Sequence, residues 1–243
     1  MDDLLLSIHE ELGSVFPDLV VSGFVATNLN VAERQLEADP IRGLPLRSAG
    51  DSEGLTLERL MQDSRIISWR SAMARSGLKA STYKSSVEQL ARRFLKGEMI
   101  QTPLQVVNLY CAISARHLAP LGGYDLSRLP RQTIEVRMGN PEQDRFQPLG
   151  GRVEEMPIRR TIPVYASGTE ILCWAFNHRD SAVTCLQKQT RTALFLGEAL
   201  TETQRGSLEA ALCELKDRLS SLGAGIGPSV FAQHSGKPRE TGA

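Results

Sequence analysis

Apolar residues recur every three or four positions between Asp2 and Phe16, which predicts a short helix that ends at the following proline. The unbroken apolar and β-branched run Leu19–Leu29 then predicts a buried strand. Prolines and glycines interrupt the mixed stretch Asn28–Asp51, so we predict a connector there, with one helical turn near Ala32–Ala38.

The middle of the chain carries helical patterns. Apolar positions at helical spacing predict a helix over Leu55–Met73. A second helix has start and stop signals, because Ser85 and Glu88 have the spacing of a reciprocal capping box and Gly97 suits a left-handed cap. In the third helix, Thr102–Leu118, a threonine cap precedes a proline at the first helical position.

Strand patterns dominate the second half of the chain. Apolar and charged residues alternate in Ile134–Met138, which predicts a half-exposed strand. Ile162–Ala166 and Ile171–Phe176 predict paired strands across a Ser-Gly-Thr turn, and Thr184–Leu196 predicts a last strand. Leucines at helical spacing then predict a helix over Thr201–Leu222.

The order of these elements predicts the fold class. Helices and strands are mixed without regular βα alternation, which indicates an α+β fold with mostly antiparallel sheets flanked by helices. The dinucleotide-binding, P-loop, nucleophile-elbow and zinc-protease motifs are absent from the sequence. We predict one domain over residues 1–222 and a disordered tail over 223–243, where Gly, Pro and Ser are frequent.

Composition narrows the classes of partner. The sequence has 28 Lys and Arg against 28 Asp and Glu, so its formal net charge is zero and bulk attraction to DNA or membranes is not expected. No apolar run approaches a membrane span, and the acidic start does not resemble a signal peptide, which favours a cytoplasmic protein. Its 4 cysteines are far apart, so we expect free thiols, no metal and no cofactor.

A dense group of polar residues follows the predicted strand Ile171–Phe176. Asn177, His178, Arg179 and Asp180 offer an amide, an imidazole, a guanidinium and a carboxylate to one pocket. A solvated turn, in which Asp180 caps the next segment, explains the same residues equally well.

Two further places carry weaker signals. Before the second helix, hydroxyls, a lysine and free helix N–H groups come together around Lys84 and Ser85, a combination typical of anion sites, although an ordinary surface helix fits too. On the third helix, Asn108 shares a small-residue face with Cys111, where it lines a cavity or bonds a neighbouring helix. The pair Gly122-Gly123 permits positive φ or the close approach of a ligand.

Six blocks of sequence, in order and at consistent spacing, carry a family resemblance. The sequence resembles the free-standing relatives of the tRNA-editing domain in the beta chain of bacterial phenylalanyl-tRNA synthetase, over roughly Leu19–Leu222. The blocks are W-R…G…Y-K-S-S-V-E-x-L-x-R-R-x-L-K-G (Trp69–Gly97), N-L-Y-x-A-I-S (Asn108–Ser114), G-G-Y-D-L (Gly122–Leu126), F-x-P-L-G-G (Phe146–Gly151), V-Y-A (Val164–Ala166) and C-W-x-F-N-H-R-D (Cys173–Asp180).

The resemblance implies the fold of that editing domain and its chemistry acting in trans, as translation quality control: water hydrolyses the ester of a mischarged aminoacyl-tRNA. Such a reaction needs donors at the developing oxyanion and a placed water, with no nucleophilic side chain. The residues it implies fall into three sets: a catalytic group of Asn177, His178, Arg179 and Asp180; an opposite wall of Asn108, Cys111, Gly122 and Gly123; and a binding site for the terminal nucleotide or phosphate of the acceptor end at Lys84, Ser85, Ser86 and Arg92.

The sequence also departs from the synthetase pattern. Cys111 stands where the synthetase domain has an asparagine, and the block around Gly122 and Gly123 lacks its histidine. The amino acid removed is therefore not necessarily tyrosine. Two other functions stay open: a module that binds an amino acid or aminoacyl-tRNA without hydrolysis, and an aminoacyl-tRNA-dependent transferase of a biosynthetic pathway.

Overall fold

The computed structural model describes residues 4–30, 55–98 and 100–233 of the chain. The strands of this part are β1 (Leu5–Ile8), β2 (Val20–Thr27), β3 (Gly122–Asp125), β4 (Thr133–Met138), β5 (Pro163–Ser167), β6 (Glu170–Trp174), β7 (Arg179–Asp180), β8 (Ala193–Ala199) and β9 (Gly225–Gln233). The α-helices are α1 (Glu10–Val15), α2 (Leu57–Gln62), α3 (Ser64–Arg75), α4 (Ser86–Leu95), α5 (Gln105–His117) and α6 (Glu202–Ser221). Short 3-10 turns occupy Leu126–Arg128 and Val153–Glu155.

The strands form two sheets. One has five strands in the order β1-β4-β5-β6-β7, and the other has four in the order β3-β8-β2-β9. Every strand pair is antiparallel except β1 with β4, which are parallel. The predicted α+β class with mostly antiparallel sheets is therefore confirmed.

Strand β8 shows how the layers pack, because all of its residues are buried and its side chains alternate between two environments. Leu194 and Leu196 belong to an apolar cluster that also holds Tyr165 and Cys173 of the other sheet. Ala193, Phe195 and Ala199 instead pack with α5 and α6. The two sheets thus face each other across one core, and α5 and α6 cover the outer side of the four-stranded sheet.

The start of helix α4 follows its predicted signal only in part. Ser85 is the N-cap, and its hydroxyl accepts from the backbone N–H of Glu88. Glu88 does not return the bond to Ser85, because its fully buried carboxylate accepts from Arg70 and Arg92 at 2.9 Å each. Gly97 has the predicted left-handed conformation, with φ +74°.

The prediction of one helix over Asp2–Phe16 is wrong for Leu5–Ile8 and confirmed for Glu10–Val15. Leu5–Ile8 forms strand β1, and only Glu10–Val15 is helical. The parallel pairing of β1 with β4 explains the difference, because a partner 128 positions away, Thr133 opposite Leu5, overrides the local helical spacing.

The predicted helix over Leu55–Met73 is two helices, α2 and α3. They meet at Asp63, whose carboxylate accepts from the backbone N–H and the guanidinium of Arg65 and so caps α3. In the third predicted helix, the N-cap position falls on Leu104 and not on Thr102. The Thr102 hydroxyl instead accepts from the Leu104 N–H in the turn before the helix.

The prediction of a disordered tail from residue 223 is wrong for Gly225–Gln233, which forms strand β9 on the edge of β2. Residues 234–243 lie outside the described part of the chain. Most of the connector predicted over Asn28–Asp51 also lies outside it, and so does the helical turn near Ala32–Ala38. The single domain over residues 1–222 stays a prediction.

The last predicted strand, Thr184–Leu196, begins only at Ala193 as β8. The preceding residues form turns, in which the buried Thr190 hydroxyl donates to the Asp125 carboxylate. None of the helices in the described ranges has the length and apolar character that crossing a bilayer requires.

Candidate functional site

The site predicted at Asn177–Asp180 lies on the hairpin between β6 and β7. Strand β6 ends at Trp174, two residues earlier than predicted, because Ala175 and Phe176 have φ values of 53° and 59°. This left-handed conformation costs a non-glycine residue about 1–2 kcal/mol. Burial offsets that cost: the Phe176 ring lies 5.0 Å from the Phe16 ring and 5.6 Å from the Trp69 ring, centroid to centroid.

The hairpin separates the polar residues that the sequence places together. Asp180 lies opposite Cys173, and Arg179 lies opposite Trp174. Because neighbouring residues of a strand point to opposite faces, Asp180 faces the gap between the sheets and Arg179 faces away from it. The predicted four-residue pocket is therefore divided between two faces.

Asp180 is the centre of the inter-sheet face. Its carboxylate accepts a hydrogen bond from the Tyr124 hydroxyl of β3 at 3.3 Å. Burial raises the pKa of Asp180, and hydrogen bonds from Cys173 and Tyr124 oppose that rise. Burial also raises the pKa of the Cys111 thiol to about 12, and the nearby Asp180 charge adds to the effect. The Cys111 thiol therefore stays protonated at neutral pH.

A second carboxylate on this face, Glu198 of β8, was not predicted. It is 4% exposed, and its Oε2 accepts from the Tyr165 hydroxyl at 2.9 Å. Its Oε1 accepts from the amide nitrogen of Asn177. Burial raises the pKa of Glu198 to about 7; the two hydrogen bonds oppose the rise and Asp180 adds to it. The sequence signal that could have revealed Glu198 was its position as a single acidic residue within the apolar strand Ala193–Ala199.

Asn177 joins this face to helix α4. Its amide oxygen accepts from the backbone N–H of Ser86 at 2.8 Å and from the Ser86 hydroxyl at 3.4 Å. The Ser85 hydroxyl engages a second amide of the helix start, that of Glu88, and Ser85 is 1% exposed. Two donors of the predicted phosphate site are therefore already bonded within the protein.

The cations of that predicted site are also engaged. The Lys84 ammonium donates to the carbonyl oxygen of Ser81. The Arg92 guanidinium bonds Glu88 and the sulfur of Met61, in the packing of α4 against α2. Lys84 and Ser86 therefore lie beside the hairpin. Arg92 does not, because its side chain packs between α4 and α2.

His178 lies on the outer side of the hairpin, and its ring packs against those of Tyr83 and Trp174, at 5.5 and 5.6 Å between centroids. Its Nδ1 is 2.7 Å from the carbonyl oxygen of Lys84. Because a carbonyl only accepts, the proton is assigned to Nδ1, and Nε2 carries the lone pair. Burial lowers the pKa of His178, which favours the neutral ring.

The remaining predicted residues divide between the site and the surrounding structure. Asn108 exchanges hydrogen bonds with the backbone and hydroxyl of Thr102, so its amide serves the turn before α5. A Cβ on Gly122 would lie 2.9 Å from the Tyr124 hydroxyl oxygen, whereas one on Gly123 would meet only core side chains. Neither glycine has positive φ. Gly122 makes room for Tyr124 at the site.

A separate polar cleft of about 420 Å³ shares no residue with this cluster. The ion pair of Arg137 with Asp144 lies in its lining, 2.7 Å between Nη2 and Oδ1. Across residues 4–30, 55–98 and 100–233, no three His, Cys, Asp or Glu side chains are arranged to hold a metal ion.

The fold and the site define an α+β protein with a polar cluster between two sheets, closed at one end by the start of a helix. A family model described as the B3/4 domain matches residues 68–209 of the chain. The protein belongs to this family and is a relative of the B3/4 domain of the phenylalanyl-tRNA synthetase beta subunit. The resemblance inferred from the six sequence blocks is confirmed.

Among solved structures, the chain is similar to the crystal structure of an N-terminal fragment of the phenylalanyl-tRNA synthetase beta-subunit from Pyrococcus horikoshii. The identity is 12% and the TM-score 0.44, over 91% of this chain and 50% of that one. The chain thus spans half of the fragment. No curated protein matches the chain.

Proposed function

We propose that the protein hydrolyses the ester bond of an aminoacyl-tRNA, with the aminoacyl group held beside Asp180 between the two sheets. One observation carries the proposal: Asp180, in a sequence block shared with the editing domain, is a half-buried carboxylate of raised pKa that a phenol holds in place. A basic group held close to a substrate and partly shielded from water is what ester hydrolysis needs.

The reaction follows from the groups on the inter-sheet face. Asp180 takes a proton from a water molecule, whose oxygen attacks the ester carbonyl carbon. The tetrahedral intermediate collapses, the bond to the ribose oxygen breaks, and the proton returns to that oxygen. A higher pKa makes Asp180 a stronger base. The thiol of Cys111, with its pKa of about 12, is not the nucleophile.

The acceptor end of the tRNA would approach along the segment Lys84–Ser86. This segment carries a cation and hydroxyls, and the His178 ring lies against it. The zero net charge of the chain agrees with contact to the end of the tRNA alone, without an extended backbone footprint. The substrate would come from the aminoacyl-tRNA pool of the cytoplasm.

The test is deacylation of Tyr-tRNA(Phe) and a panel of other mischarged tRNAs by the wild type and by Asp180→Asn. Loss of a general base predicts a fall in kcat of about 100-fold or more. Glu214→Gln is the matched control, because this half-buried carboxylate pairs with His117 and lies outside the cluster. His178→Ala should act mainly on KM, because the ring lies on the outer face.

Other results would contradict hydrolysis. Tight binding of aminoacyl-tRNA without turnover of any ester would favour a binding module. Release of the acyl group only when an amine acceptor is supplied would favour a transferase. Equal turnover by the wild type and Asp180→Asn would remove Asp180 from the chemistry.

A further inference from the structure

We propose that Glu198 is a positioning residue, which fixes the amide of Asn177 and thereby holds the start of helix α4 at the site. Its effect on catalysis rests on the proposed function, whereas its effect on α4 does not. Glu198 lies on β8, a strand that carries none of the predicted site residues.

A continuous chain of hydrogen bonds supports this role. The Tyr165 hydroxyl donates to Glu198 Oε2 at 2.9 Å, the Asn177 amide nitrogen donates to Glu198 Oε1, and the Ser86 N–H donates to Asn177 Oδ1 at 2.8 Å. This chain links both sheets, the β6–β7 turn and helix α4.

The direction of the bonds shows why Glu198 controls Asn177. A carboxylate without a proton only accepts, so the Asn177 side chain must turn its NH₂ group toward Glu198. The amide oxygen then faces Ser86 N–H. With the amide reversed, the NH₂ group would face the Ser86 N–H, and two donors would meet without an acceptor.

The position of Glu198 argues against a direct part in the reaction. Both of its carboxylate oxygens are bonded within the protein, and the residue is 4% exposed. Asp180 lies on the same face and is less deeply buried, although Tyr124 and Cys173 also donate to it. Glu198 therefore acts through Asn177, and Asp180 is the carboxylate that meets the substrate.

The two shortest hydrogen bonds between the α4 start and the hairpin come from adjacent residues of the turn. Asn177 binds the Ser86 N–H, and His178 Nδ1 binds the Lys84 carbonyl oxygen at 2.7 Å. Because the two contacts are adjacent in the turn, loss of the first should loosen the second. Glu198 would thus set the place of Lys84, which is proposed to meet the acceptor end.

An exchange of the two functional groups tests the proposal. In Asn177→Asp, two carboxylates face each other above pH 7, where Glu198 is ionised, so the pair should come apart under those conditions. In the double variant Asn177→Asp with Glu198→Gln, the new amide donates to the new carboxylate and still accepts from the Tyr165 hydroxyl. The Ser86 N–H again has a carboxylate oxygen to bind. Glu198→Leu removes both acceptors at similar volume, and Glu214→Gln is the control.

Two readouts do not depend on activity: hydrogen exchange of the Ser86 amide and the ¹⁵N shifts of the His178 ring. Asn177→Asp and Glu198→Leu should speed Ser86 exchange by about tenfold and move the His178 shifts. The double variant should restore both readouts. If esters are hydrolysed, its kcat/KM should return to within about threefold of the wild type, since the pair couples as a unit.

Either of two results would overturn the proposal. The first is unchanged hydrogen exchange of the Ser86 amide in both Asn177→Asp and Glu198→Leu. The second is a double variant whose Ser86 hydrogen exchange and His178 shifts are no closer to the wild type than those of Asn177→Asp. If Glu198→Leu does not fold, the comparison of Asn177→Asp with the double variant decides alone. It is also possible to separate the two proposals. If neither the wild type nor any variant hydrolyses an ester, but the double variant restores the Ser86 hydrogen exchange and the His178 shifts, the proposed function fails and the positioning role stands.

Discussion

The Tyr124 hydroxyl of β3 and the Asp180 carboxylate of β7 meet across the gap between the two sheets, 3.3 Å apart. The two strands lie at one end of their respective sheets. This contact joins the sheets at their edges, beside Gly122. Burial raises the pKa of Asp180, and this contact opposes the rise, because a donor favours the charged form of a carboxylate.

Tyr124→Phe should raise the pKa of Asp180 further above its usual range, because the variant removes a hydrogen bond that lowers it. The acid limb of the pH profile of kcat/KM should move to higher pH, and activity on aminoacyl-tRNA at pH 7 should fall by about tenfold, the usual worth of one such bond. An unmoved acid limb would mean that Asp180 does not set it.

The stability of the protein should depend on pH through Glu198. Its pKa is raised from 4.5 to about 7 in the folded state, so the folded protein holds the proton more tightly than the unfolded chain. Its contribution to the free energy of unfolding is complete below pH about 4.5 and is lost as the pH rises through about 7. The free energy of unfolding changes by about 3 kcal/mol over this range. Burial of Asp180 acts in the same direction.

Urea unfolding between pH 4.5 and 8 measures this dependence. The Glu198→Gln variant should lose most of the decline in the free energy of unfolding, because its amide does not titrate. A decline of the same size in that variant would assign it to other groups.

Cys111→Ser should keep most of the hydrolytic activity, because a thiol with a pKa of about 12 is protonated at neutral pH. For the same reason, iodoacetamide at pH 8 should modify the exposed Cys213 before Cys111, as mass spectrometry of the digested protein would show. Abolished turnover in Cys111→Ser, with normal folding, would point to covalent catalysis.

Two glycine substitutions separate activity from stability. Gly122→Ala places a methyl group 2.9 Å from the Tyr124 hydroxyl oxygen, so the phenol must leave Asp180, and the loss of kcat/KM should match that of Tyr124→Phe. Gly97→Ala meets nothing within 4 Å but must adopt φ +74°. It should cost about 1–2 kcal/mol of stability and leave activity unchanged. Deacylation assays and urea unfolding of both variants check this contrast.

Local signals predicted the elements that local contacts stabilise. Ser85 and Thr201 cap α4 and α6 through bonds to residues three positions later, and the sequence contains both partners of each bond. The β6–β7 hairpin was not predicted, because Ala175 and Phe176 are not the residues expected in left-handed turns. Distant aromatic partners of Phe176 stabilise that turn, and their proximity is a property of the fold.

In the candidate site, too, local features were predictable from the sequence and long-range contacts were not. The run Asn177–Asp180 was visible as a dense polar segment, but the sequence did not reveal that β7 sends its neighbours to opposite faces. Glu198 lies 18 positions beyond Asp180, and only sheet packing brings it to Asn177. A charge within a buried strand was the one available signal, and its partner had to come from the structure.

Strand β9 has a practical consequence for anyone who expresses this domain. It covers one edge of β2, although the matched family region ends at residue 209 and the leucine pattern of α6 ends at Leu222. A clone cut after Leu222 would leave the backbone groups along that edge open to pairing with another molecule. Such a fragment should aggregate during purification, and inclusion of residues through Gln233 should keep it in solution.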